Sequence, residues 1–324
     1  MSEHVLHAYA LDGNGGGTAL SLDSVSQNTR SNEQLTWVHL DANYPETREW
    51  LVNELTYLDP LVVEALLEDE TRPRMTQFDQ GVLIILRGVN LNHDAVPEDM
   101  ISIRLWIDQH RIISVRRRKL RAVGDIEAKI KQSTGPCDSG DFIQMLASRL
   151  FDRMDPVLSS LDDTTDEIEE QILDNADSSL RQSITEVRKK AIIFRRYMAP
   201  QRDAISQLKM AELVWLKSRH KRYLQESYNH VTRYVEDLDA IRERAQIVKD
   251  ELANIIAEKL NKNMYVLSVI AAIFLPLGFL TGLLGINVGG IPGADYAYAF
   301  LIFCGILLVI VILQVILFKR FKWF

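Results

Sequence analysis

Apolar positions run without interruption in two places along the chain and are interleaved with polar ones everywhere else. From Met264 to Leu284 there are 21 consecutive residues without a charge. About 20 apolar residues at 1.5 Å per residue cover roughly 30 Å of hydrocarbon, so the pattern predicts a transmembrane helix over 264–284. A second uncharged run, Ala297 to Phe318, predicts a span over 297–318 and ends in the basic tail 319–324, Lys319-Arg320-Phe321-Lys322-Trp323-Phe324. The connecting segment 285–296 holds Gly285, Gly289, Gly290 and Gly293, which predicts a tight outer loop.

Upstream the period changes. From Asp141 to Leu277 there is no glycine, and the only prolines are Pro156, Pro200 and Pro276. Asp141–Asp174 and Ser179–Ala199 carry apolar stripes such as Ile168, Ile172, Ile184 and Val187 among acids, which predicts two long helices. Pro200 is expected to turn one helix back into the next, and everything from Gln201 on reads as one helix of about 80 residues, hence about 120 Å. A helix of that length entering the membrane is a stalk, so residues 141–263 are assigned to a helical stalk region. The acidic run Asp162 to Glu170 reads as a solvated helix face.

The first 140 residues alternate differently. Leu35–Leu40, Gly81–Val89, Met100–Asp108 and Arg111–Val115 read as strands, with a tight hairpin at Gln109-His110 and a short strand over Thr18–Leu22. Pro45 and Pro60 sit where helices start. Pro136 and Gly140 mark a boundary, so 1–140 is expected to be an α/β domain on a mixed sheet, and the whole chain α+β with a stalk and two terminal spans. The acids Glu64, Glu68, Asp69 and Glu70 at the second helix end read as solvated, with a divalent cation as the alternative. His39, alone in a strand, reads as structural.

Charge and cysteine usage narrow the partners. The formal net charge of −7 speaks against nucleic acid, and the basic run Arg116–Arg121 reads as a solvated face. Cys137 and Cys304 offer no CxxC thiolate pair, the first residues lack the pattern of a cleaved export signal, and no nucleophile–base or phosphate-loop motif points to an enzyme. Lys259 and Lys262 precede the first span and Lys319, Arg320 and Lys322 follow the second, whereas the loop between has no Lys or Arg. Both termini are thus expected in the cytoplasm and the short loop outside. Two helices per chain cannot enclose an aqueous path, so conduction would require a ring of subunits in the bilayer.

Several segments together carry a resemblance. Tyr197-Met198-Ala199-Pro200-Gln201-Arg202-Asp203, the Arg72-Pro73-Arg74 turn, the long glycine-free helix, Phe274-Leu275-Pro276 and Gly285-Ile286-Asn287 between two terminal spans resemble the CorA metal-ion transporter superfamily. Ile286 stands where Gly-Met-Asn is the hallmark, and with Val288 to Gly293 this looks more like the ZntB zinc-transporter branch. The resemblance covers essentially the whole chain. It implies a CorA-like funnel, a homo-oligomer that is pentameric as in the family, a bacterial inner-membrane location, divalent cations as cargo and no cofactor. It further implies zinc as the transported substrate, with proton coupling as symport.

The resemblance also implies a pore line. Its positions fall on Asn287, Gly278, Leu275, Leu267, Met264 and Asp250, and a 3-or-4 spacing counted back from Gly282 adds Ala271. Gly285, Ile286 and Asn287 would form the outer mouth, where Asn287 meets a hydrated ion through uncharged dipoles. Met264, Leu267 and Leu275 could gate by excluding water, and Asp250 would offer a carboxylate ring as a second metal position. Asp250 could instead pair with Lys249 or Arg244. No Cys or His lies in the first span, so no tight tetrahedral zinc site is visible there. Asp250, His220 and His230 are the titratable groups nominated for proton coupling. The rival readings are a Mg²⁺, Co²⁺ or Ni²⁺ channel of the same architecture and a membrane-anchored sensor or scaffold that conducts nothing.

Overall fold

The computed structural model describes residues 3–31, 33–174, 178–285, 291, 293 and 296–321. The chain divides into two units, Met1–Asp250 and Glu251–Phe324. The first is built on a seven-stranded sheet formed by β1 (Val5–Leu11), β2 (Gly17–Ala19), β3 (Leu35–Asp41), β4 (Arg74–Gln77), β5 (Val82–Gly88), β6 (Ile101–Ile107) and β7 (Arg111–Arg116). Their order is β2-β1-β3-β7-β6-β5-β4. Only β3 and β7 run parallel, in register from Thr36↔Arg111 to Asp41↔Arg116. The sheet is therefore mixed. The β6–β7 hairpin is closed by Asp108, whose Oδ1 accepts from His110 N at 2.8 Å and Arg111 N at 2.9 Å.

Helices α1 (Leu22–Arg30), α2 (Pro45–Glu54), α3 (Pro60–Leu67), α4 (Arg121–Lys131) and α5 (Ser139–Asp152) complete the α/β part. Pro45 and Pro60 each occupy a first-turn position, where a missing N–H costs no intrahelical bond. Val38, Leu40, Leu51, Leu66, Ile113 and Val115 are fully buried in one cluster between sheet and helices. Each such side chain stabilises the fold by about 1.5–3 kcal/mol.

His39 is fully buried on β3, on the opposite face of the strand from Val38 and Leu40. Ser114 Oγ accepts from Trp37 Nε1 at 2.9 Å and shares a hydrogen bond of 2.8 Å with His39 Nδ1, with Val38 O 3.2 Å away. His39 Nε2 is buried without a hydrogen-bond partner. Burial, then Arg116 and the stacked His7, hold the His39 pKa well below the ordinary 6.5. The sign follows directly: a depressed histidine pKa stabilises the fold fully above 6.5 and loses that contribution as pH falls below it. Melting temperature should therefore drop on acidification from about pH 6.5, with His39 contributing up to about 1.4 kcal/mol per pH unit. His39→Gln should flatten that slope in a pH series of thermal unfolding, and an unchanged slope would show that His39 is not a source of it.

Beyond the sheet lie α6 (Asp155–Asp174), α7 (Ser178–Met210) and the first part of α8 (Ser218–Gly285). The expected turn at Pro200 does not occur. Proline removes one N–H bond, to the carbonyl four residues back, and here packing keeps the helix going. Gln201 is fully buried and docks on the edge of β5 just past the end of β4, accepting from Arg87 N at 2.6 Å and donating to Arg87 O at 3.0 Å. Its amide replaces a strand partner. The turn comes instead at 211–217, where Ala211, Trp215 and Leu216 are buried. The long helix consequently starts at Ser218 and has 68 residues, not about 80 from Gln201.

Arg244 on α8 meets three carboxylates of α6: Asp166, Asp162 at 2.9 Å and Glu169 at 2.8 Å. The acidic run expected to be a solvated face is thus partly an anchoring surface. The second unit holds the rest of α8 and α9 (Ala299–Arg320), both long and apolar enough to cross a membrane. Between Met264 and Leu284 the less exposed positions of α8 are Val269, Ala272, Ile273, Pro276, Leu277 and Leu280, one helical stripe. Gln314 Nε2 of α9 donates to Ala272 O on that stripe at 3.4 Å.

Candidate functional site

A stripe of α8 at positions 264, 267, 271, 275, 278 and 282 faces away from the side that α9 contacts. Residues 271 and 275 lie about 200° around the helix from 273 and 277, at 100° per residue. Met264 is 67%, Leu267 68% and Leu275 72% exposed, and Ala271, Gly278 and Gly282 are exposed as well. A Cβ built on Gly278, Gly282 or Gly285 meets no atom within 4 Å. An apolar face that the chain itself leaves open is suited to packing against other copies or lining a shared axis. Chemically it offers no charge, so an ion meeting it would gain no ligand there.

Gly285 is the last residue of α8. Ile286 and Asn287 lie outside the described residues.

Asp250 belongs to the first unit. It is exposed, and both carboxylate oxygens accept from Gln246 Nε2, each at 2.9 Å, one helical turn back. Arg244, a partner considered from the sequence, is engaged by the acids of α6. His230 lies edge-on to Tyr234 at 6.3 Å between ring centroids. Among the acids expected at the end of α3, Asp69 pairs with Arg117 at 2.7 Å and Glu68 with Arg74 at 3.5 Å, while the Arg104 guanidinium donates to Glu68 O at 2.6 Å. Arginines thus hold that turn.

The sequence reading missed a polar clasp in the first unit. Asp138, Asp141 and His220 bring metal-ligand atoms within 4.8 Å of one another. Asp138 caps α5 by accepting from Asp141 N at 2.9 Å, and its Oδ1 and Asp141 Oδ1 lie 3.2 and 3.3 Å from His220 Nε2. Arg219 reaches both carboxylates, at 2.9 and 3.1 Å, and Lys217 reaches Asp138 at 3.3 Å. Two protein cations therefore already balance the two carboxylates, and His220 Nδ1 faces the Lys217 N–H at 3.1 Å. A metal-bound histidine normally donates from its other nitrogen, which that amide opposes. The trio is a filled ion-pair clasp between α5 and the start of α8. Burial lowers the His220 pKa while Asp138 and Asp141 push it up. A signal was available, since Asp138-Ser139-Gly140-Asp141 before an apolar run is a helix-start pattern.

Comparisons with known proteins cover nearly the whole chain. The family model described as CorA-like Mg²⁺ transporter protein matches residues 32–320. The zinc transport protein ZntB of Yersinia pseudotuberculosis is 38% identical over 319 residues, covering 98% of this chain and 95% of that protein. The divalent cation transporter CmaX of Pseudomonas aeruginosa is 37% identical, with 98% and 96% covered. A solved structure of full-length CmaX superposes with a TM-score of 0.87 at 36% identity, covering 100% of this chain and 99% of that one.

Proposed function

Since the chain belongs to the CorA-like Mg²⁺ transporter protein family, whose members are ion transporters and not enzymes, we propose that it moves Zn²⁺ across the bacterial inner membrane as a homo-oligomer. Zinc is the cargo, and no cofactor takes part. Support for this ion comes from the near full-length likeness to a zinc transport protein. The family's magnesium description and the likeness to a divalent cation transporter favour a second reading, a broader Mg²⁺, Co²⁺ or Ni²⁺ channel.

The observation that carries the transport reading is the open stripe of α8. Two apolar helices per chain enclose no path, and α9 engages one face of α8 while the opposite face is left bare. In a ring, pentameric on this reading, those faces would surround an axis. Met264, Leu267, Ala271, Leu275, Gly278 and Gly282 would line it, Gly285, Ile286 and Asn287 would form its outer mouth, and Asp250 would provide a carboxylate ring at the cytoplasmic side. Without thiolate or imidazole in the span, zinc would pass with much of its water retained, held at the mouth by carboxamide dipoles and released through an apolar stretch that binds nothing tightly. Weak binding at successive points permits conduction. The basic residues Lys259, Lys262, Lys319 and Arg320 at the two membrane ends support cytoplasmic termini.

The test is ion uptake into liposomes holding the purified protein, with Zn²⁺ against Mg²⁺, with and without an imposed pH gradient. Zinc flux that rises with the gradient is the expected outcome and supports symport. Magnesium flux without zinc flux, indifferent to the gradient, would replace this reading by the channel alternative.

A further inference from the structure

Pro276 lies inside α8, in the middle of the 264–284 span, and the helix continues through it. An α-helix pairs the N–H of each residue with the carbonyl four residues earlier, and proline has no N–H. The carbonyl left without its donor is that of Ala272. In hydrocarbon there is no water to serve it, so the freed group costs free energy unless another part of the protein donates to it. Gln314 Nε2 on α9 donates to Ala272 O at 3.4 Å. The residue that meets this carbonyl comes from 42 positions further along the chain.

Three features mark this pairing as more than a contact of convenience. Between Ala299 and Phe318, Gln314 is the single carboxamide and no charged residue occurs, so a polar group costly in lipid is placed where an orphan carbonyl waits. A carbonyl opposite it leaves only one orientation of the amide, NH₂ inward, because Oε1 would repel it. Gln314 Oε1 is buried without a hydrogen-bond partner, which leaves the bond to Ala272 as the interaction that repays the amide's desolvation among the described residues.

Accordingly, we propose that Gln314 is a positioning residue: its carboxamide replaces the N–H that Pro276 lacks and fixes the helix at the proline, so that Leu275 and Gly278 keep a set direction relative to Leu267 and Ala271. The functional half of this statement rests on the transport reading above. The pairing itself does not.

A double-mutant cycle tests it on the full-length protein, with Gln314→Leu, Pro276→Ala and both together. Restoring an N–H at 276 gives Ala272 O its own helical donor, so Gln314 should become dispensable in that background. Expected in the wild-type background is a loss of cation flux of about fivefold, the size of one intramembrane hydrogen bond. A fall in melting temperature of about 3 °C for the detergent-solubilised protein should accompany it. In the Pro276→Ala background the same Gln314→Leu change should lower neither, and loss of an amide whose desolvation is no longer repaid should hold the melting temperature level or raise it. Equal effects in both backgrounds would reduce Gln314 to a packing residue and overturn the proposal, as would no effect in the wild type. Where Pro276→Ala itself stops flux, or the wild type moves no cation, the melting cycle decides the pairing by the same criterion, and the second case sinks the transport reading separately.

Discussion

Flux should fall by about a hundredfold or more on replacing Asn287 with leucine, with the oligomer still assembled. Asn287 follows the last residue of α8 by two positions, in a segment with no Lys or Arg. On the transport reading its carboxamide is the first polar group to replace outer solvation of the ion, and the stripe below it is apolar. A hydrogen bond to a charged group is worth about 1.5–3 kcal/mol, and each subunit of a ring would lose one, so the entry barrier rises by more than a single bond. Leucine has the same number and branching of side-chain heavy atoms as asparagine, a larger volume and no hydrogen-bonding group, so it removes the interaction without opening a gap. The measurement is Zn²⁺ and Mg²⁺ uptake into liposomes, paired with size-exclusion elution and melting temperature. Normal flux from an assembled Asn287→Leu protein would remove the carboxamide as the element that admits the ion.

How far the sequence reaches depends on whether the controlling physics is local. The two uncharged runs, the strands with apolar centres and the helices opened by Pro45 and Pro60 were legible because length, period and a missing N–H act within a few residues. β1 and β4 were not anticipated, and the short β2 was placed one to three residues late; β4 is a four-residue strand, Arg74–Gln77, that exists only because β5 pairs with it. Pro200 misled for the same reason in reverse. Its local preference to end a helix was overridden by Gln201 docking on β5, 114 residues away in sequence. The actual turn at 211–217 has no glycine or proline to announce it and is held by burial of Trp215 and Leu216.

For the candidate site the division is similar. The positions on α8 came from the family resemblance, with the helical period counted back from Gly282 adding Ala271, and which side of the helix α9 takes was not legible in the sequence. The clasp of Asp138, Asp141, Arg219 and His220 joins residues about 80 positions apart, and the amide of Gln314 meets a carbonyl 42 positions earlier. Pairings of that kind depend on which helices lie side by side. Gln314 still carried a warning as the lone carboxamide in an uncharged run.

The clasp allows a second prediction of large effect. Gly140 is the second residue of α5, and a Cβ there would lie 2.0 Å from His220 Nδ1 and 2.4 Å from Cε1. Real atoms do not approach so closely, and the ring has no room to retreat: its side chain is fully buried and held between Lys217 N, Asp138 and Asp141. In an ordinary helix glycine to alanine gains up to about 1 kcal/mol. At this position the sign should invert, with Gly140→Ala costing about 3 kcal/mol, the upper range for overpacking a filled interior. Removing the ring should restore the ordinary sign, so in a His220→Ala background the same Gly140→Ala change should be neutral or stabilising. Denaturant unfolding of the four proteins decides it. Gly140→Ala that stabilises the wild type, or costs as much without the His220 ring as with it, would show that this contact does not set the approach of α8 to α5. A measured inversion would instead mean that the glycine is required for a reason the sequence could not display: the ring it admits belongs to a residue 80 positions away.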